Sequence, residues 1–124
     1  IFVGSRPAAC KPFLLENHIT HVLSIGVGPE EDLSPEITVK KIELEDEAEA
    51  KIEDILDEAC QFIDEGTTGS NMVLVHCHAG GSQSPAVAIN YLHRRKGFSL
   101  PCAFFFVSTR RPVMDLNRGF QDYI

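Results

Sequence analysis

The sequence predicts an α/β fold: a central, mostly parallel, twisted sheet of four to five strands flanked by helices. Three observations carry that expectation. Short β-branched, apolar runs alternate along the chain with longer stretches of helical periodicity. Glycine, proline and polar clusters fall between them as breakers. The predicted strands are also joined by helix-length connections, and parallel neighbours need such crossovers.

Ile1-Phe2-Val3 forms a short first strand that enters a turn at Gly4-Ser5. Ala9, Cys10, Phe13 and Leu14 recur at helical spacing, which predicts a short helix over 7–17. A second strand spans 21–25 and closes at the breaker group Gly26-Val27-Gly28-Pro29. A third spans 37–44, with Val39 and Ile42 interrupting strict alternation around Lys40-Lys41. Over 48–65, Ile52, Ile55, Leu56, Ala59, Phe62 and Ile63 share one face of an amphipathic helix that Gly66 stops. A polar turn over 67–70 leads into Met72-Val73-Leu74-Val75, the central buried strand. Ser84 is placed to cap the next helix, with Pro85 as its first residue. That helix ends at Arg94-Arg95-Lys96, whose charges suit the negative helix end, and at Gly97. Another helix follows Ser99 over 100–109, and Asn117 caps a last short one. No repeat, low-complexity segment or linker divides the chain, so 1–124 is expected to be one domain.

Composition narrows the function. A chain of 124 residues, 44% apolar and 23% charged, fits a soluble domain with its own core. It has no apolar run of bilayer length and no basic leader before a short apolar core; the start at Ile1 without methionine suggests a trimmed domain. Cys10, Cys60, Cys77 and Cys102 show no paired C-x-x-C spacing, and a domain with a core of this size does not need disulfides. Reduced thiols in the cytoplasm, or the nucleus, are the expectation. A formal net charge of −7 argues against a nucleic-acid surface, and no membrane partner is expected; oligomeric state is not encoded.

The chemistry concentrates in His76-Cys77-His78-Ala79-Gly80-Gly81-Ser82-Gln83-Ser84-Pro85. A loop between a strand and a helix start gathers main-chain N–H groups around one point and adds the positive helix end. Such a nest binds an oxyanion and favours a thiolate held at the same focus. Gly80 and Gly81 permit the curl and the close approach. Cys77 is therefore the candidate nucleophile, His78 to Gln83 the phosphate-binding loop, and Ser84 the donor to the departing sulfur. His76 is expected to orient the loop through a hydrogen bond rather than act as a base. The competing reading of Cys77 is a small buried hydrophobe. Zinc ligation by His76, Cys77 and His78 is disfavoured: adjacent strand residues face opposite ways, and no second ligand pair has suitable spacing. No cofactor is expected. A general acid is also required, and Asp46 lies at the end of the third strand. Glu43, Glu45, Glu47 and Glu49 surround it, however, and a solvated charged face would explain the same run.

The loop resembles H-C-x-x-G-x-x-R-[ST], the signature of the cysteine-based protein tyrosine phosphatases, with Gln83 in the arginine position. The likeness extends over nearly the whole chain and is specifically to the dual-specificity phosphatases. Ile1-Phe2-Val3-Gly4-Ser5 looks like their opening strand, and His18-Ile19-Thr20-His21-Val22-Leu23 like their second. Tyr91-Leu92 with Arg95-Lys96 fits the helix behind the loop. Arg110-Arg111-Pro112 through Asn117-Arg118-Gly119-Phe120 is similar to the closing R-R-P…P-N-x-G-F segment, with Leu116 replacing its second proline. The resemblance implies that Asp46 is the general acid, followed by Ile52 in the next helix, and that Asn117 braces the phosphate loop. It also implies a phosphorylated protein or peptide as partner, with phosphoserine, phosphothreonine and phosphotyrosine all accepted in a shallow pocket. Glutamine is neutral and lacks the bidentate fork of arginine, so strongly reduced turnover is expected. The alternative is a pseudophosphatase that binds phosphoproteins or competes with active phosphatases.

Overall fold

A computed structural model describes residues 1–123. Four strands, β1 (Phe2–Gly4), β2 (His21–Ile25), β3 (Thr38–Ile42) and β4 (Val73–His76), form one sheet in the order β1-β4-β2-β3. Every neighbouring pair is parallel, with Val22 opposite Leu74 on one side and Val39 on the other. All four residues of β4 are buried, as the central strand of a parallel sheet requires. Because the strands run one way, Gly4, Ile25, Ile42 and His76 bring their carboxyl ends to a single edge. Open α/β sheets bind ligands at that edge.

Five helices cover the sheet: α1 (Lys11–Glu16), α2 (Leu56–Gly66), α3 (Gln83–Lys96), α4 (Leu100–Arg110) and α5 (Arg118–Tyr123). Side-chain alternation splits the core in two. Leu23, Ile25, Val73 and Val75 pack with Leu56, Ile63, Ile89 and Phe120 on one face. Val22 and Leu74 pack with Leu14, Ile19, Leu33 and Ile37 on the other. Among the described residues, no helix is long and apolar enough to cross a membrane.

The third strand, expected over 37–44, is shorter at Thr38–Ile42, and three helix boundaries also differ from the sequence expectation. The helix expected over 7–17 splits into a 3-10 turn, Arg6–Ala8, and α1. Pro12 has no N–H to offer the carbonyl of Ala8, so a continuous helix breaks ahead of it. The helix expected from 48 starts with a 3-10 turn at Ile52–Asp54 and becomes α-helical only at Leu56. The Ala48 carbonyl lies against Gly119 so closely that any side chain there would collide with it, and this contact holds the chain on an irregular path. Helix α3 begins at Gln83 with Ser82 at the cap position, so Ser84 does not cap it. The Ser84 hydroxyl is turned toward Cys77 instead. Helix α4 matches its expectation, with the Ser99 Oγ accepting from the Cys102 N–H.

Candidate active site

The site grows from the end of β4. The His76 imidazole is fully buried between two partners: Nδ1 lies 3.0 Å from the Cys77 carbonyl and Nε2 lies 2.7 Å from the Ser24 hydroxyl. A carbonyl only accepts, so Nδ1 carries the proton and Nε2 accepts from Ser24. Burial, reinforced by the nearby Arg6 charge, pushes the His76 pKa below its ordinary value against the pull of the Cys77 carbonyl. The ring is thus a neutral bracket from β2 across β4 to the start of the loop.

Beyond Cys77 the chain curls. The His78 carbonyl accepts from the Arg6 N–H at 2.9 Å, and the Gly81 carbonyl from the Asp115 N–H at 2.7 Å. Between them, Arg111 donates from Nε to the Gly80 carbonyl at 2.9 Å and from its terminal nitrogen to the Ala79 carbonyl at 3.2 Å. Four successive carbonyls are therefore held on the outer side. The N–H groups of His78, Ala79, Gly81 and Ser82 have no acceptor among the described residues and remain available as donors. Gly80 has φ of 77°, a left-handed conformation in which a side chain would run into the Arg111 guanidinium. The curl and its arginine brace thus depend on glycine at that position.

Cys77 is buried at the base of this curl. Its Sγ receives the Gly80 N–H at 3.2 Å and lies 3.2 Å from the Ser84 Oγ. Both groups can support a thiolate. Burial in the core pushes the Cys60 thiol above its ordinary value. All four cysteines are free.

The hollow above Cys77 has a volume of about 490 Å³. Its lining includes His78, Ala79, Gly81, Ser82, Gln83 and Asp46, so the structure brings these expected site residues together. Asp46 is reached through Asn117, whose Nδ2 donates to Asp46 Oδ1 at 2.9 Å. The Asn117 N–H donates to Ser82 Oγ at 3.0 Å, and its Oδ1 accepts from the Phe120 N–H as the cap of α5. One residue thereby links the loop, the acidic segment and the last helix. Gln83 departs from a phosphate-gripping role: its side-chain Nε2 donates to the Leu44 carbonyl at 2.8 Å and is buried.

Sequence reasoning missed Gly26, Val27, Val113 and Asp115 as lining residues and Arg111 as the brace of the loop. Arg111 had a signal in the Arg110-Arg111-Pro112 closing segment, but its target carbonyls lie about thirty residues away in sequence. Asp115 and Asp46 put two carboxylates on the hollow, while no Lys or Arg lines it among the described residues. The two arginines nearby, Arg6 and Arg111, brace its outside.

A parallel sheet thus delivers a cysteine into a curl of main-chain donors, the geometry of a candidate oxyanion site. The family model "dual specificity phosphatase, catalytic domain" matches residues 1–124, and the chain belongs to that family. It is 37% identical over 121 residues to dual specificity protein phosphatase 5 of Rattus norvegicus, covering 97% of this chain and 32% of that protein. It is 32% identical over 125 residues to dual specificity protein phosphatase 19 of Mus musculus, covering 100% of this chain and 57% of that protein. The chain therefore spans less than two thirds of either relative. Among solved structures it is similar to human DUSP28, with a TM-score of 0.90 at 27% identity, covering 98% of this chain and 85% of that one. It is also similar to the human tyrosine phosphatase-like serine/threonine/tyrosine-interacting protein, with a TM-score of 0.87 at 27% identity over 98% and 88% of the chains.

Proposed function

We propose that residues 1–124 act as one dual-specificity protein phosphatase unit that hydrolyses phosphoserine, phosphothreonine and phosphotyrosine in protein substrates through a cysteinyl-phosphate intermediate. The observation that carries this function is the curl of 77–82, with its carbonyls outside, the N–H groups of His78, Ala79, Gly81 and Ser82 without an acceptor among the described residues, and the Cys77 sulfur at its base. The Cys77 thiolate attacks phosphorus while the ester P–O bond breaks, and Asp46 gives its proton to the leaving oxygen. Water then attacks the phosphocysteine, Asp46 takes a proton from it, and sulfur leaves toward the Ser84 hydroxyl and the Gly80 N–H. The loop amides stabilise the three equatorial oxygens in both steps. Turnover is slow, because Gln83 supplies neither the charge nor the fork of the signature arginine; one such donor is worth about 10²–10³ in rate. The four free thiols suit a reducing compartment, the cytoplasm or nucleus.

One observation favours a second role: Gln83 stands in the arginine position and no Lys or Arg lines the hollow among the described residues, which weakens transition-state stabilisation before it weakens binding by the main-chain donors. The likeness to a tyrosine phosphatase-like interacting protein is consistent with it. Assay of the chain beside Cys77→Ser and Gln83→Arg separates the two. Phosphatase activity that rises with Gln83→Arg and vanishes with Cys77→Ser supports the enzyme. Phosphopeptide binding with no activity in either the native chain or Gln83→Arg supports docking.

A further inference from the structure

We infer that Gln83 is a positioning residue, a strut that fixes the Asp46-bearing segment to the phosphate loop, and not a substitute phosphate ligand. The inference rests on the phosphatase function proposed above and concerns how this chain holds its acid.

The geometry of the amide is the starting point. Gln83 is the first residue of α3, and its side chain crosses the carboxyl edge of the sheet to reach Leu44, just past the end of β3. The donor bond to the Leu44 carbonyl is 2.8 Å long and buried. A Cβ added at Gly26, just past the end of β2, would lie 2.7 Å from that Nε2 and 2.8 Å from the Leu44 oxygen. The amide thus occupies space that only glycine leaves open, and Gly26 has φ of 81°, where glycine is favoured for a second reason. A side chain ordered in this way is not free to turn to an incoming oxyanion without giving up a buried bond.

What the strut holds is equally specific. Leu44 is buried, whereas Glu43 and 45–49 are exposed. The acidic run would otherwise leave β3 with little packing to fix it. Two links tie it to the loop from different sides: Gln83 takes the main chain at Leu44, and Ser82 through Asn117 takes the carboxylate of Asp46. Consecutive loop residues therefore set the acid's height above Cys77. In this chain the position that the signature gives to arginine serves acid placement, and oxyanion binding is left to the main chain.

The test uses the native chain and inorganic tungstate as the oxyanion probe, followed by NMR. Gln83 Nε2 protons should show contacts to Gly26 and Leu44 without tungstate, and should stay unshifted at saturation while the N–H signals of 78–82 move. A Gln83 amide that shifts with those signals would overturn the strut. So would an amide with no Gly26 contact. If tungstate moves none of the 78–82 signals, the oxyanion nest itself fails, independently of Gln83. Gln83→Met, of similar length but without the donor, supplies a kinetic readout. The ratio of kcat on an alkyl phosphate to kcat on an aryl phosphate should fall about tenfold, because the poorer leaving group depends more on a placed acid. Gln83→Glu, which turns an acceptor toward the Leu44 carbonyl, should lower that ratio at least as far. A ratio unchanged in both folded variants would also overturn the inference.

Discussion

Two segments leave the same edge of the sheet and are held in opposite ways. The loop after β4 is anchored by buried Cys77, Gly80 and Ser82, although His78 and Ala79 are exposed, and the carbonyls of 78–81 are each bound by a main-chain N–H or by Arg111. The segment after β3 is exposed beyond Leu44, and its candidate acid is held by side-chain bonds from Asn117 and, indirectly, Gln83. The position of the candidate nucleophile is therefore a property of the fold. The position of the candidate acid is a property of a few replaceable amides. Damage to the second segment should change rates and leave the domain folded, whereas damage to the first should remove chemistry altogether.

The largest expected effect breaks the buried half. Cys77→Ser should reduce turnover to background yet keep tungstate affinity, measured by calorimetry, because the amide donors are main-chain groups; loss of both together would contradict a nest independent of sulfur. Asp46→Asn breaks the exposed half. It should lower kcat on alkyl phosphates by about 10²–10⁴, with a smaller loss on aryl phosphates and no change in thermal unfolding beyond about 0.5 kcal/mol. Equal losses on both substrates would remove Asp46 from the acid role. Gln83→Arg sharpens the comparison. It should raise kcat/KM on aryl phosphates by about 10²–10³ through the added cation, and raise it less on alkyl phosphates because the strut is lost.

Smaller effects follow at the linkers. Asn117→Ala removes the cap of α5 and the bond to Asp46, and should cost about 1 kcal/mol in urea unfolding along with a drop in kcat. His76 gives a pH signature. Its folded pKa lies below the unfolded value of 6.5, mainly because burial penalises the charged ring, so the unfolded chain takes up the proton first. Stability should thus be undiminished above that value, fall as pH drops through it, and level off below the folded pKa. Thermal melts of the native chain and His76→Gln between pH 8 and pH 5 check this, as the variant should lose that part of the slope.

How far the sequence carried this picture differs between the same two segments. The fold class, the buried central strand and the position of the loop were readable, because apolar runs, helical spacing and the Gly80-Gly81 pair are local signals, whereas the strand order was not. Two strong helices were read with the wrong start, at 48 and at Ser84, because those ends are set by distant contacts: Ala48 against Gly119, and Ser84 with Cys77. Phe104, Phe105 and Phe106 are adjacent on α4 and cannot share one helix face. Phe106 packs edge-on against Phe98 with ring centroids 5.4 Å apart, and Phe105 stands 69% exposed. The braces from Arg111 and Asp115 and the Gln83 bond to Leu44 span about thirty to forty residues and have no periodic signature. Side-chain to carbonyl bonds of that range appear only once the chain is folded.

The most direct measurement is the mass of the chain after incubation with an aryl phosphate and rapid acid quench, with the adduct located by peptide fragmentation. A single phosphoryl group on Cys77, absent from Cys77→Ser, is the predicted result. Measured turnover with no phosphoryl group on Cys77, or with one on another residue, would contradict a sulfur nucleophile seated in the loop.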